Sequence, residues 1–522
     1  MNNEKNRPSA SLLLIHAHVM TLDPRRPRAD WVALARGRIV GLGDRKDPNP
    51  FIHKGSRVLD CRGKTVLPGF IDPHIHLAAF AESLVTVNVG PGNKVRSLAG
   101  LQRKIRTHSQ SLPKGHWIRA KGYNEFHLRE KRHPNRLDLD RATSKHPIRL
   151  THRSGHAHVL NSLALKRAGI GKSTPDPPGG MIERNLVDGE PTGLLYEMGD
   201  FLSDHIPPLD AETLEQGLRR AGQDLVSLGV TSIQDASARN DRDRWAFFES
   251  WTGKGLPSPR VNMMLGFPAL KNMHHPGLTG ARERPVRVTT VKIILDETTG
   301  QLHPSQEALN EMVLEIHMTG LQVAIHAITK KAIEAACTAI EYAVKRKPEI
   351  EHRHRIEHCA ICPPSLAKRI ASLGIIVVTQ PPFIHYNGER YRHTVPEEQL
   401  AYLYPIRALQ QHGIHVAASS DCPIVPPDPL TGIYAAVTRK DETGNVVGEN
   451  ERIPLTDALG LYTRNAARAM FEESLKGTIT PGKLADLVVL NADPTRLTPD
   501  ELKELKVEMT LIGGRVVWQR KG

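Results

Sequence analysis

The 522-residue sequence predicts an α/β fold: a (β/α)8 TIM barrel with a small composite β-sandwich built from both termini. Three observations predict it. Eight short apolar stretches each end in a polar residue, amphipathic helical stretches separate most of them, and the two ends of the chain alternate as strands.

The strand candidates are 66–76, 230–235, 260–266, 286–296, 322–327, 354–358, 375–380 and 414–421. Helical periodicity is clearest at 211–228, 305–319, 329–345, 363–373 and 399–412. Strands alternating with helices make a parallel sheet, and polar residues at so many strand ends favour a closed barrel over an open one. Residues 77–209 break the rhythm with turn-rich pieces such as TPDPPGG and VDGEPTG. They read as a long insert after the first barrel strand, on the catalytic face. Residues 11–65 (SLLLIHAHVMTLD, WVALARGRIVGLG) and 476–522 (KGTITPGKLADLVVLN, VEMTLIGGRVVWQR) alternate as strands, and Gly482 reads as a turn residue. The expected division is therefore 1–65 with 472–522 as the sandwich, and 66–471 as the barrel with its insert.

Composition narrows the class. With 39% hydrophobic and 24% charged residues the chain is a folded globular protein and not a disordered one. The stretch MNNEKNRPSASLLLI lacks the pattern of a secretory signal, and no run is long enough to span a bilayer, so a cytoplasmic protein is expected. Five cysteines imply no disulfide framework; Cys359 and Cys362 form a lone C-x-x-C and read as reduced thiols. The formal charge is +14, and residues 101–153 hold fourteen Lys and Arg against four Asp and Glu. No aromatic interleaving or helix-turn-helix pattern accompanies them, so no nucleic acid is expected. The stretch reads either as a solvated face or as a basic rim that attracts anionic substrates.

Chemistry enters at the strand ends. His74 and His76 form an H-x-H, and alternate strand residues project to one side. His326, His358 and Asp421 end later strands. In a barrel such ends surround one pocket, and imidazole with carboxylate suits zinc, or manganese, iron or cobalt. Five ligands exceed what one zinc needs if a position stays open for water. Two metals would use them, but need a bridging anion. Lys292, as a neutral amine, can react with CO2 to give a carbamate that bridges; the other reading is a buried salt bridge to Asp296, and the spacing does not choose.

The stretch LPGFIDPHIHL resembles the first-strand signature of the amidohydrolase superfamily. GHAHVLNSLAL, GGMIERNLVDGEPTGLLYE, GVTSIQD, VKIILD, VAIHAI, RHRIEHC, SSDCPIVPPDPL, TRNAARAMFEE and KGTITPGKLADLVVL are similar to its family-3 branch, which includes N-substituted formamide deformylases and exoenzyme-regulator-like proteins. The resemblance runs from about residue 11 to 518. It implies His74 and His76 on one metal, carboxylated Lys292 bridging, His326 and His358 on the second, and Asp421 as a ligand and the catalytic base. Where many branch members follow the lysine with a D-G pair, this chain has Asp296-Glu297-Thr298-Thr299-Gly300.

That loop should border the substrate, which makes Asp296 and His303 pocket candidates. His156 and Asn161, in S-G-H-A-H-x-x-N, are candidates through the resemblance, although His156 reads equally well as a loop-fixing hydrogen-bond partner. Gln380 is a further candidate; with Gln234 and Asp235 it reads as a hydrogen-bond partner behind the ligands.

The expected enzyme is a hydrolase of non-peptide amide-type bonds. A metal-bridging hydroxide would attack and Asp421 would act as general base and then acid. A lactone or ester hydrolase with the same two-metal site is the alternative. A mononuclear deaminase is disfavoured, because such enzymes carry a Glu three residues after the fifth-strand His and here Thr329 stands there. A relative without activity would have broken ligands, and all six are present. The expected cofactors are two divalent ions, zinc first. The expected partner is a small amide-type substrate, with neither membrane nor nucleic acid, and a homodimer is compatible with the sequence.

Overall fold

The computed structural model describes residues 10–44, 51–272, 286–297 and 300–521. Thr298 and Thr299, part of the unusual loop after Lys292, lie outside them. The chain divides into two compact units: residues 1–77, 221–295 and 306–522, and a second unit of 78–220 with 296–305.

The first unit holds the expected barrel. Eight parallel strands pair in chain order: β1 (Phe70–Ile75), β2 (Val230–Asp235), β3 (Arg260–Gly266), β4 (Val286–Ile294), β5 (Gln322–Ala327), β6 (Arg355–His358), β7 (Ile376–Thr379) and β8 (Val416–Ala418). Residues just past β8 meet β1: the Asp421 amide donates to the His74 carbonyl and the His76 amide to that of Cys422. β-Branched and aliphatic residues such as Ile233, Val291, Ile325 and Val377 are fully or almost fully buried, as expected of strands covered on both faces.

Several expected elements differ in extent. The stretch 66–76 is two strands: Thr65–Pro68 pairs with Leu487–Leu490 in a terminal sheet, and only β1 belongs to the barrel. Gly69 separates them, and a Cβ there would collide with the Thr231 side chain. The stretch 399–412 is two short helices, Glu397–Leu400 and Ile406–Gln411, because Pro405 between them has no N–H to donate. β8 stops at Ala418, so Asp421 sits on the loop beyond it.

Both ends of the chain contribute to one six-stranded sheet, in the order Arg515–Gln519, Val507–Ile512, Leu487–Leu490, Thr65–Pro68, His18–Met20, Arg28–Ala29. A four-stranded sheet of residues from Leu12 to Asp60 shares a core with it, through Leu12, Leu14, Val32, Leu34, Val66, Leu487, Val489 and Leu511.

The second unit is more ordered than its turn-rich sequence implied. It contains a six-stranded mixed sheet, in the order Met181–Arg184, Pro191–Tyr196, Ala157–Leu160, Ile148–His152, Ile118–Tyr123, Val87–Asn88. Its strands are short and separated by long excursions, which hides their periodicity. Among the described residues no helix is long and apolar enough to cross a membrane.

Candidate metal centre

The end of β1 delivers the first two ligands. His74 is buried, with its Nδ1 2.5 Å from Glu357 Oε2. His76 is half-buried, with its Nδ1 3.0 Å from Ser237 Oγ. At the end of β6, His358 Nδ1 lies 2.8 Å from Gln380 Oε1. In each ring the partner takes Nδ1 and leaves Nε2 as the nitrogen open to a metal. Those of His74 and His76 converge on Asp421, whose Oδ1 is 3.4 and 3.0 Å away. One ligand atom from each of His74, His76 and Asp421 falls within 4.8 Å of the others. Two imidazoles and a carboxylate in that space form a donor set suited to zinc or a similar divalent ion, with room for a water position.

The remaining strand-end residues gather on the same cluster. Lys292, on β4, is buried with Nζ 3.5 Å from His74 Nε2. His358 lies edge-on to His326, with ring centroids 4.4 Å apart, and its ring is 5.1 Å from that of His74. All six ligand candidates are thus neighbours.

Burial governs the charges here. It pushes the Lys292 amine down to about 8, opposed by Glu357 and Asp421. Burial and the charge of Lys292 push His74 down to about 3, which keeps the ring neutral as a ligand must be. Burial works against ionised Asp421, but the His76 hydrogen bond and the His74 and His358 rings outweigh it and hold the carboxyl below its usual range. Glu357 behaves alike: burial opposes its charge, and Arg355, His74 and Lys292 more than offset that.

Glu357 and Arg355 are functional residues that the sequence reading missed. Both are completely buried, and the guanidinium grips the carboxylate at 2.6 and 2.9 Å while also donating to Gln234 Oε1 at 2.7 Å and the Pro73 carbonyl at 3.0 Å. The carboxylate that fixes His74 is therefore itself fixed. Strict alternation along β6 would group His354, Ile356 and His358 on one side, and His354 does face away, to His317 at 2.9 Å. His358 escapes that pattern because its φ is +73°, a left-handed turn of the backbone that lets it follow Glu357 toward the cluster. Asp421 is likewise left-handed, at φ +57°. Ser237 and Asp72 are further omissions. Asp235 accepts from the Ser237 amide at 3.0 Å and so sets the serine that holds His76. Asp72 accepts from Ser420 Oγ at 2.5 Å and the His74 amide at 3.2 Å, tying β1 to the loop of Asp421.

The other pocket candidates divide. Gln380 supports His358 and donates to Ser419 Oγ at 3.0 Å, so it is buried behind the ligands. Asn161 is a correction. It is completely buried in the insert unit, where its Oδ1 accepts from the Ala164 and Ile148 amides and its Nδ2 donates to the His146 carbonyl. It caps the helix Ser162–Arg167, and these bonds take up its polar atoms. His156 is exposed, with its Nδ1 2.9 Å from Glu197. Asp296 and His303 also belong to the insert unit, where their backbones pair, each amide donating to the other's carbonyl at 2.9 Å.

The sequence profile of the Amidohydrolase family matches residues 57–518. The chain belongs to that family. This amidohydrolase is 30% identical to the N-substituted formamide deformylase of Arthrobacter pascens, over 98% of this chain and 99% of the relative. It is 28% identical to YtcJ of Bacillus subtilis (strain 168), over 96% and 98%. Among solved structures it superposes on an uncharacterised metal-dependent hydrolase from Pyrococcus horikoshii OT3 with a TM-score of 0.75 at 23% identity, covering 94% of this chain and 99% of that one. The amidohydrolase is thus a hydrolase acting on carbon–nitrogen bonds other than peptide bonds.

Proposed function

We propose that the chain hydrolyses a small amide-type substrate with Asp421 as the proton carrier and two divalent ions, zinc first, in the cluster described above. The observation that carries this reading is the convergence of His74, His76 and Asp421, with His358, His326 and Lys292 beside them. His74, His76 and Asp421 would hold one ion; His326 and His358 supply two nitrogens for another, and carboxylated Lys292 would give both an anionic oxygen. The buried, partly neutral amine of Lys292 suits that modification, because only the neutral amine attacks CO2. Divalent ions in such a set acidify water and polarise a carbonyl oxygen.

The chain's own residues do the rest. Asp421, whose carboxyl is held below its usual range, accepts a proton from the attacking water. It then hands that proton to the leaving nitrogen, since an amine leaves poorly unless protonated. Glu357, Ser237 and Gln380 keep the three imidazoles from turning, so little reorganisation is needed as charge develops.

Metal analysis with a Lys292→Ala variant tests the reading. Protein purified without chelator should carry close to two divalent ions per chain and should hydrolyse members of a panel of formamides, N-acyl amines and N-acyl amino acids. Lys292→Ala should lose most metal and activity, with partial rescue by short carboxylates. Full metal and normal turnover in the variant would reduce Lys292 to a structural residue, and activity confined to lactones would move the enzyme to ester chemistry.

A further inference from the structure

Three strands of the insert, Ile118–Tyr123, Ile148–His152 and Ala157–Leu160, lie side by side, with Arg119 opposite Arg149 and Thr151 opposite His158. Ile118, Ala120, Ile148, Leu150 and Val159 point into one apolar core. Alternation therefore places Arg119, Arg149, Thr151 and His158 together on the other face.

Two nitrogens on this face are buried without any hydrogen-bond partner: His158 Nε2 and Arg149 Nε. His158 is only 3% exposed, and Thr151 Oγ1 lies 3.2 Å from its Nδ1. With the hydroxyl donating to Nδ1, the ring proton sits on Nε2, the unpartnered atom. No hydrogen bond or ion pair of the Arg149 guanidinium occurs among the described residues. Arg119, by contrast, is engaged: its Nε lies 3.3 Å from Glu82, and it donates to the Pro207 carbonyl. The charges of Glu82 and Asp210 favour ionised Arg119, and Glu82 also favours ionised Arg149; Arg119 opposes the charge of Arg149, and Arg149, His156 and His152 oppose that of His158. Glu82 makes its ion pair with Arg119, which leaves the Arg149 guanidinium without an ion pair among the described residues.

Buried donors in native proteins are nearly always satisfied, so two on one sheet face call for an acceptor. Arg149 is half-buried as a whole residue. Gly199 lies next to the His158 nitrogen: a Cβ built there would stand 3.6 Å from Nε2. Beyond Gly199's own backbone and chain neighbours, no other described atom lies within 4 Å of that Cβ position, so the absent side chain leaves space beside the buried nitrogen.

We propose that Arg149 and His158 form an oxyanion-binding site in the insert, taking a carboxylate or a phosphate group. Arg149 offers its fork of N–H donors to two oxygens, and His158 adds a neutral N–H from the adjacent strand. The site shares no residue with the metal cluster and stands whether or not the proposed amide chemistry holds.

Isothermal titration of the metal-loaded full chain with inorganic phosphate, and separately with acetate, tests it. Arg149→Met and Gly199→Val are compared with wild type, and binding common to all three belongs to the metal ions. Wild type should show one additional saturable event, and Arg149→Met should weaken it by roughly 10- to 100-fold, as expected for losing charge-assisted hydrogen bonds. Gly199→Val should weaken it by covering His158 with all charges intact, so the idea stays testable even if Arg149→Met folds poorly. A response to phosphate alone identifies a phosphate site, and one to acetate identifies a carboxylate site. Identical isotherms for wild type and Gly199→Val, or no additional event with either anion, would overturn the proposal.

Discussion

The barrel cluster and the insert's sheet face both bury imidazole and guanidinium, yet they treat them in opposite ways. Beneath the metal centre, Arg355 donates to Glu357, Gln234 and Pro73, and the Nδ1 of His74, of His76 and of His358 is held. In the insert, Arg149 and His158 each keep a buried nitrogen without a partner. The same residue types thus mark different tasks. Saturated hydrogen bonding fixes ligands in advance of a metal, whereas unsatisfied donors mark a place where a molecule from outside completes the count.

Replacing the proton carrier should produce the largest effect. Asp421→Asn should fold and keep part of its metal, while kcat falls by about 10²–10⁴, the range for losing a general acid–base group. Steady-state kinetics alongside metal content checks this, and turnover near wild type would assign the proton to another residue.

Glu357 tests how much saturation matters. Glu357→Gln removes the charge that holds His74 and faces Arg355 with an amide, so metal affinity should fall by roughly 10- to 100-fold, the usual cost of losing a partner behind a ligand. Competition with a calibrated chelator measures it. Unchanged affinity would mean that the backbone alone positions His74.

The smallest effect concerns pH. On the barrel, His354 Nε2 lies 2.9 Å from His317 Nδ1, His317 Nε2 donates to the Lys347 carbonyl, and His352 Nε2 donates to that of Leu373. Burial pushes His354 and His352 below the ordinary histidine value. The unfolded chain, with histidines near about 6.5, therefore binds more protons than the folded one once pH drops below that value. The contribution of these histidines to stability should be flat above it and decline as pH falls toward the folded values. Denaturant midpoints of metal-free wild type and His354→Asn at pH 7.5, 6.5 and 5.5 isolate that contribution, and the variant should lose less stability, or gain more, as pH falls. An unchanged slope in that variant would exclude this row of histidines as its source.

What the sequence disclosed follows the same divide. His74, His76, Lys292, His326, His358 and Asp421 were legible because each stands near the end of an apolar run, and a barrel makes strand ends neighbours. Arg355 and Glu357 were hidden in R-I-E-H because alternation assigns them to the face opposite His358, and only the left-handed backbone at His358 reconciles the two. Asn161 was misread for a different reason: an asparagine that caps a helix and one that meets a substrate look the same until its bonds are drawn. The insert's strands were obscured by their brevity, and the alignment of Arg149 with His158 depends on a register that no local pattern announces.

Gly69 ties the entry to the candidate site to a segment far along the chain. The strand Thr65–Pro68 pairs with Leu487–Leu490, across most of the length of the chain, and a single residue later β1 begins its course toward His74 and His76. Pairings between such distant segments form late, because loop closure must precede their reward. The stretch that carries His74 and His76 therefore precedes by most of this sequence the segment that pairs with the strand beside it. A substitution that disrupts Leu487–Leu490 should therefore loosen the entry to β1, although it lies far from His74 and His76 in sequence.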